Sequence, residues 1–217
     1  MKDLYKYKYA IFDCDGVIFQ SNRIKTKAFA ETLKAEPKEI VKDFILYHKI
    51  NGGVSRYVKF EYYFRELKKE KNFNKMANIA ITRYAKIVHE QLMNVEYVPG
   101  FLKIIDFFNK KKIPCFVVSG GDQKELHEVF KKRGIFDHFE RVLGSPATKD
   151  YHISKLLLNN QIDISSIFFG DAYSDMNAAL NNKIEFCFIK QFSEWKNGAL
   201  MAKKYSFSAI KNFNELF

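Results

Sequence analysis

Apolar residues along this chain follow two rhythms, and the change between them falls at Val98-Pro99-Gly100. Ahead of it stands one buried-strand pattern, residues 9–12, a short apolar run that ends in two carboxylates and a glycine. From about Asn22 to Met93 no segment alternates as a strand does. Helical periodicity runs instead over residues 26–34, 38–49, 55–71 and 73–93. In the third of these, Val58, Tyr62 and Tyr63 form a predicted stripe, with Phe60, Phe64 and Leu67 beside it. Pro37 suits a helix start, and Asn51-Gly52-Gly53 reads as a loop.

Beyond Gly100, strands and helices alternate. Helices are predicted at 101–112, 122–133, 149–159 and 174–181, the second closed by Gly134. Strands are predicted at 114–118, 141–143, 167–169 and 185–189, with a last one at 205–207. Repeated units of this length indicate an α/β fold: a Rossmann-like parallel sheet with helices on both faces. The helical block then reads as an insertion after the first strand. The expected organisation is an α/β core of residues 1–20 and 97–217, with an all-helical cap at 21–96.

The 217 residues suffice for such a core, and 47% hydrophobic with 28% charged is an ordinary globular composition. No apolar run approaches the ~18 residues of a membrane span. Residues 1–6 lead into the first strand without a secretory pattern, and Cys14, Cys115 and Cys187 match no metal-ligand spacing. They read as reduced core residues, so a cytoplasmic location is expected. The net charge of +11 raises the question of nucleic acid. Residues 18–97 carry 16 Lys and Arg against 9 Asp and Glu, a net of +7 that leaves +4 for the rest. These cations are scattered among glutamates along helices, with no nucleic-acid motif. An anionic metabolite is the favoured partner, with neither nucleic acid nor membrane.

Candidate chemistry gathers at the strand ends. Asp13 and Asp15 sit at i and i+2 of an extended segment, so both face one space while Cys14 turns away. Two such charges require a cation or a proton, and Mg²⁺ with oxygen ligands suits them. Ser119-Gly120-Gly121 ends the second strand, Lys149 follows Gly144, and Asp171 with Asp175 follows the fourth. In a parallel sheet these ends lie on one edge. Ser119 offers a hydroxyl there, Gly120 and Gly121 allow close backbone approach to phosphate oxygens, and Lys149 supplies a point charge.

This order resembles the haloacid dehalogenase superfamily of phosphohydrolases. Its four motifs match Asp13-Cys14-Asp15-Gly16-Val17, Ser119, Lys149, and Gly170-Asp171-Ala172-Tyr173-Ser174-Asp175. The inserted cap points to the branch containing phosphoglycolate phosphatase and β-phosphoglucomutase. The resemblance implies Asp13 as nucleophile and Asp15 as general acid and base. It implies Mg²⁺ held by Asp13, the Asp15 backbone carbonyl and Asp171, with Asp175 in support. Gly53-Val54-Ser55-Arg56 resembles a cap loop that grips the distal anionic group of a substrate, and Lys25 stands near the position of a cap-hinge histidine. Gln20 replaces an aspartate common before Ser21, and Lys155 rivals Lys149, which is preferred as closer to the strand end. The five histidines form no usable spacing, and Trp195 reads as packing.

The expected function is a Mg²⁺-dependent phosphatase of a small phosphorylated metabolite, a sugar phosphate among the candidates, through an aspartyl-phosphate intermediate. A phosphosugar mutase with the same machinery is the alternative. A phospho-aspartate switch or binding module is disfavoured by Asp15, since a stored phosphoaspartate is better kept without a neighbouring base. Substrate identity and oligomeric state are left open.

Overall fold

Strand β1 (Tyr9–Phe12) lies inside a six-stranded parallel sheet in the computed structural model of the chain, which describes residues 4–217. Residues 1–3, counted with the core in the sequence reading, lie outside the described residues. The other strands are β2 (Cys115–Asp122), β3 (Arg141–Ser145), β4 (Ser166–Gly170), β5 (Glu185–Ile189) and β6 (Ser208–Ile210). Their order is β3-β2-β1-β4-β5-β6. β1 is therefore flanked by β2 and β4, with Phe12 opposite Val117 on one side and Phe169 on the other. The chain builds outward through β2 and β3, then returns across β1 to start β4. That reversal opens a crevice at the carboxyl ends of β1 and β4.

Alternation along β1 divides the core. Phe12 turns to a face where its ring stacks on Phe169 at 5.1 Å and meets Phe101, Phe108 and Phe139 edge-on at 6.1 Å each. Ile11 turns to the opposite face, among Ile153, Leu156 and Met176. The first face is covered by helices α5 (Phe101–Lys110) and α6 (Gln123–Lys132), the second by α7 (Lys149–Leu158) and α8 (Tyr173–Asn181).

Between β1 and α5 the chain forms α1 (Asn22–Thr32), α2 (Lys38–Ile50), α3 (Arg56–Tyr62) and α4 (Phe73–Met93). These helices bury their own aromatic centre of Phe29, Phe44, Phe60, Tyr63 and Tyr84. The two crossings between cap and sheet run side by side: Gln20 N–H donates to Glu96 O and Val98 N–H to Ile18 O, both at 2.9 Å. Arg133 clamps this hinge, with its guanidinium 4.4 Å from the Tyr97 ring and a hydrogen bond of 2.5 Å to Val95 O.

Three details differ from the sequence expectation. The helix predicted over 55–71 stops as an α-helix at Tyr62 and widens into one π-helical turn, Tyr63–Leu67. Its buried side is Arg56, Lys59, Phe60 and Tyr63, whereas Val58 is 49% exposed. A hydrophobic stripe misjudges this helix because two of its inward residues are cations. The last strand is Ser208–Ile210 rather than 205–207, and a further helix, α9 (Gly198–Lys204), precedes it. There Phe207 N–H donates to Ala202 O at 2.8 Å and Ser206 sits at φ +60°, so this apolar stretch wraps the helix end. The cysteines are buried and unbridged, and no helix among the described residues is long and apolar enough to cross a membrane.

Phe12 joins both neighbouring strands to the helical layer above them, so Phe12→Ala is expected to lower unfolding stability by about 3–5 kcal/mol. Urea denaturation followed by circular dichroism checks this. A loss below ~1 kcal/mol would mean that the aromatic cluster closes without it.

Candidate active site

One residue past β1, Asp13 still belongs to the sheet, its N–H donating to Phe169 O at 2.9 Å. The chain then turns at Gly16, at φ +75°, where a Cβ would collide with the side chains of Asn22 and Asp171. Asp13 Oδ1 lies 2.8 Å from Lys149 Nζ. Lys149, the first residue of α7, is positioned by Thr148, whose hydroxyl caps the helix by accepting from Tyr151 N–H at 3.2 Å. The same ammonium pairs with Asp175, and both side chains are at most 3% exposed. Asp175 in turn accepts the N–H groups of Asp171 (3.1 Å) and Ala172 (2.9 Å), which fixes the turn between β4 and α8. Asp171 Oδ2 accepts from Asn22 Nδ2 at 2.6 Å. One carboxylate oxygen from each of Asp13, Asp171 and Asp175 falls within 4.8 Å of the others.

The carboxylates outnumber the charge that offsets them. Burial pushes the Asp13 carboxyl up, Lys149 opposes it, and Asp175 and Asp15 push it further. Burial, then Asp13 and Asp175, push Asp171 well above the usual carboxylate range. A buried set of oxygen donors, short of positive charge, fits a hard divalent cation. Asp175 is already held by Lys149 and two backbone donors.

Asp15 has different surroundings. Its carboxylate takes an ion pair of 2.6 Å from Lys25 and a hydrogen bond of 2.5 Å from Ser21 Oγ. Burial acts to raise this carboxyl, but Lys25 and Ser21 prevail and hold it below the usual range. At the end of β2, Ser119 is fully buried and its hydroxyl accepts from Gly121 N–H at 3.1 Å. Gly120 lies against the cap loop, where any Cβ would overlap the Gly53 carbonyl. Lys155 is exposed and rests 5.7 Å from the Tyr151 ring, so Lys149 is the lysine brought to Asp13. Gln20 donates to Tyr97 O at 2.9 Å and serves the hinge.

Arg56 is buried, but it turns to the core: its guanidinium pairs with Glu125 of α6 and lies 4.8 Å from the Tyr84 ring. Tyr57 adds a hydrogen bond of 2.5 Å to Asp122. Between cap and sheet edge remains a cavity of about 50 Å³, bordered by Asp13, Asp15, Lys25, Arg56, Lys59 and Gly120. It has space for a few water-sized groups. Trp195 also borders it, besides packing at 5.6 Å on Phe188.

The sequence reading passed over Asn22, Ser21, Lys59, His48 and Glu125. A local signal existed for Lys59 alone, which stands at i+3 from Arg56 and beside Phe60, on a helix face otherwise turned inward. Ser21 reaches back six residues to Asp15, and Asn22, His48 and Glu125 have partners more distant in sequence.

A family description of haloacid dehalogenase-like hydrolases matches residues 10–189. No curated protein matches the sequence. Among solved structures, a predicted phosphoglycolate phosphatase from Haemophilus somnus superposes with a TM-score of 0.75 at 15% identity, over 98% of this chain and 97% of that one. A β-phosphoglucomutase from Clostridium difficile gives 0.74 at 17% identity, over 97% and 93%. A magnesium-bound hydrolase of the same kind from Bacillus subtilis gives 0.67 at 14% identity, over 97% and 96%. At such identities these likenesses speak for the fold. The match over 10–189 goes further, and with it the chain belongs to the haloacid dehalogenase-like hydrolases.

Proposed function

We propose that this protein is a Mg²⁺-dependent phosphatase of a small phosphorylated metabolite, working through an aspartyl phosphate on Asp13. The observation that carries the reading is the buried Asp13–Lys149–Asp175 array beside Asp171, with Asp13, Asp15 and Asp171 bordering one cavity. The magnesium-bound relative and the phosphatase and mutase relatives support a phosphoryl-transfer site of this kind.

In this reading Asp13 Oδ attacks phosphorus, and the electron pair of the breaking bond passes to the leaving oxygen. Lys149 offsets charge on the phosphoryl oxygens and favours the ionised form of Asp13 against the upward push of burial. Gly120 and Gly121 border the cavity, and with the Gly121 N–H held by Ser119 Oγ the backbone of Gly120 is the part that faces an arriving phosphoryl group. Asp15 delivers a proton to the leaving oxygen and later takes one from the water that hydrolyses the aspartyl phosphate. Asp13, Asp171 and the Asp15 backbone carbonyl would hold Mg²⁺, with Asp175 in support. When bound, the ion supplies positive charge where phosphoryl charge develops. Lys25 and Ser21 keep the Asp15 carboxylate in place, and it must exchange Lys25 for a proton before it acts as the acid.

Arg56 acts in this account as a latch between cap and core. Removing it leaves Glu125 buried without a partner, which works against closure.

Phosphate release from a panel of phosphorylated metabolites and from a generic aryl phosphate is expected to require Mg²⁺, to stop with chelator, and to vanish in Asp13→Asn. Equal rates in wild type and Asp13→Asn would refute the nucleophile assignment. Conversion of a sugar phosphate to its isomer without phosphate release would replace the phosphatase by a mutase.

Arg56→Ala is expected to lower kcat/KM for the aryl phosphate and for larger substrates by a similar factor, about 10-fold or more, because it acts on closure. Loss confined to the larger substrates would instead make Arg56 a substrate contact.

A further inference from the structure

Each cation around the cavity but one has a carboxylate beside it. Lys25 has Asp15, Arg56 has Glu125, Lys149 has Asp13 and Asp175, and Lys49 reaches Glu194 at 4.0 Å. Lys59 has none within 4.0 Å among the described residues, although it is only 2% exposed and borders the cavity. Its polar contact is His48 Nδ1, at 2.9 Å.

The next link in the chain settles the imidazole. Thr26 has one hydroxyl hydrogen and gives it to Glu194, so its oxygen accepts from His48, the ring hydrogen resides on Nε2, and Nδ1 accepts from Lys59. Nε2 then donates to Thr26 Oγ1 at 2.8 Å, and the threonine hydroxyl donates to Glu194 at 2.6 Å. Burial, with Lys59 and Lys49 adding to it, keeps His48 far below its ordinary pKa and therefore neutral. Lys59 is thus held by a fixed acceptor that brings no negative charge. A buried ammonium left in that state is costly, and an anion arriving in the cavity relieves the cost.

We propose that Lys59 is the receptor for a second anionic group on the substrate, a carboxylate or a phosphate only a few atoms from the phosphoryl group that reacts. The inference rests on the phosphatase reading above and narrows its substrate class to short, doubly anionic phosphoesters. Lys59 and Asp13 border the same small cavity, which places the second anionic group near the phosphoryl group that reacts. Burial, followed by Lys25, brings the Lys59 ammonium down to about 7, so an arriving anion also completes its protonation. The His48–Thr26–Glu194 chain ties α2 and α1 of the cap to the loop after β5, so Lys59 is held in position when the cap is closed.

The experiment compares kcat/KM of the full chain with Mg²⁺ for 2-phospholactate, its analogue without the carboxylate, isopropyl phosphate, 1,3-propanediol bisphosphate and an aryl phosphate. Wild type is expected to favour one or both doubly anionic substrates over isopropyl phosphate by about 10- to 100-fold, the effect of a charge-assisted hydrogen bond. Preference for phospholactate identifies a carboxylate partner, and preference for the bisphosphate a phosphate. In Lys59→Met the preference should collapse, mainly through KM, with aryl phosphate turnover retained, and Lys59→Arg should restore part of it. The wild-type comparison needs no variant, so a Lys59→Met that fails to fold does not shield the inference. Equal rates for substrates with and without the second anionic group in wild type would overturn it, as would a Lys59→Met that impairs aryl phosphate equally. Absence of phosphate release from every substrate would overturn the phosphatase reading and this inference together.

Discussion

The buried ion pairs of Lys149 with Asp13 and Asp175 are what the remainder of the site depends on. Three charges taken out of water are tolerable only in good geometry, and removing one partner of such an array typically costs 3–5 kcal/mol. That geometry is drawn from three separate strand–helix units. Asp13 comes from the end of β1, Lys149 from the start of α7, and Asp175 from the first turn of α8. Correct pairing of the parallel strands is therefore a condition for the charge pairing at the crevice. Gly170 is part of the same constraint, because a side chain there would overlap Asp175 and push it from Lys149.

The cap closes on this array through polar contacts rather than a broad apolar face. Ser174 Oγ donates to Gly52 O at 2.9 Å, Gly53 abuts both Gly120 and Lys149, and Arg56 meets Glu125. Such contacts can be exchanged for water at modest net cost. Within the cap, aromatic packing centres on Phe29, Phe44, Phe60 and Tyr84.

Most of this architecture was legible in the sequence because it follows from local pattern. Alternating apolar runs located five of the six strands, and the motif residues at their ends converged through topology alone. Lys149 could be preferred to Lys155 from its distance to the strand end. What escaped were features set by distant partners. No periodicity pairs Arg56 with Glu125, 69 residues away, or Asn22 with Asp171, 149 away. The aromatic pair Tyr205 and Phe207 imitates a strand, yet backbone hydrogen bonds to the preceding helix claim that stretch and shift β6 to Ser208–Ile210. On α3 the inward face carries Arg56 and Lys59, and a hydrophobic stripe cannot see a helix that buries charge.

The positive charge of the cap separates into two populations with different physical effects. Cations such as Lys75, Arg83 and Lys86 lie along the outer groove of α4. Their field extends over roughly a Debye length, about 8 Å at physiological salt, so it raises the encounter rate of anionic ligands without distinguishing among them. The inner cations lie in a low-dielectric space where each interaction is far stronger and depends on contact geometry. There Lys25, Arg56 and Lys149 are matched by resident carboxylates, and those pairs fix cap and core in place. Lys59 alone faces a neutral partner, so a ligand's charge changes its energy more than that of its neighbours. The net charge of the chain thus bears on arrival, and discrimination between anions falls to one buried ammonium.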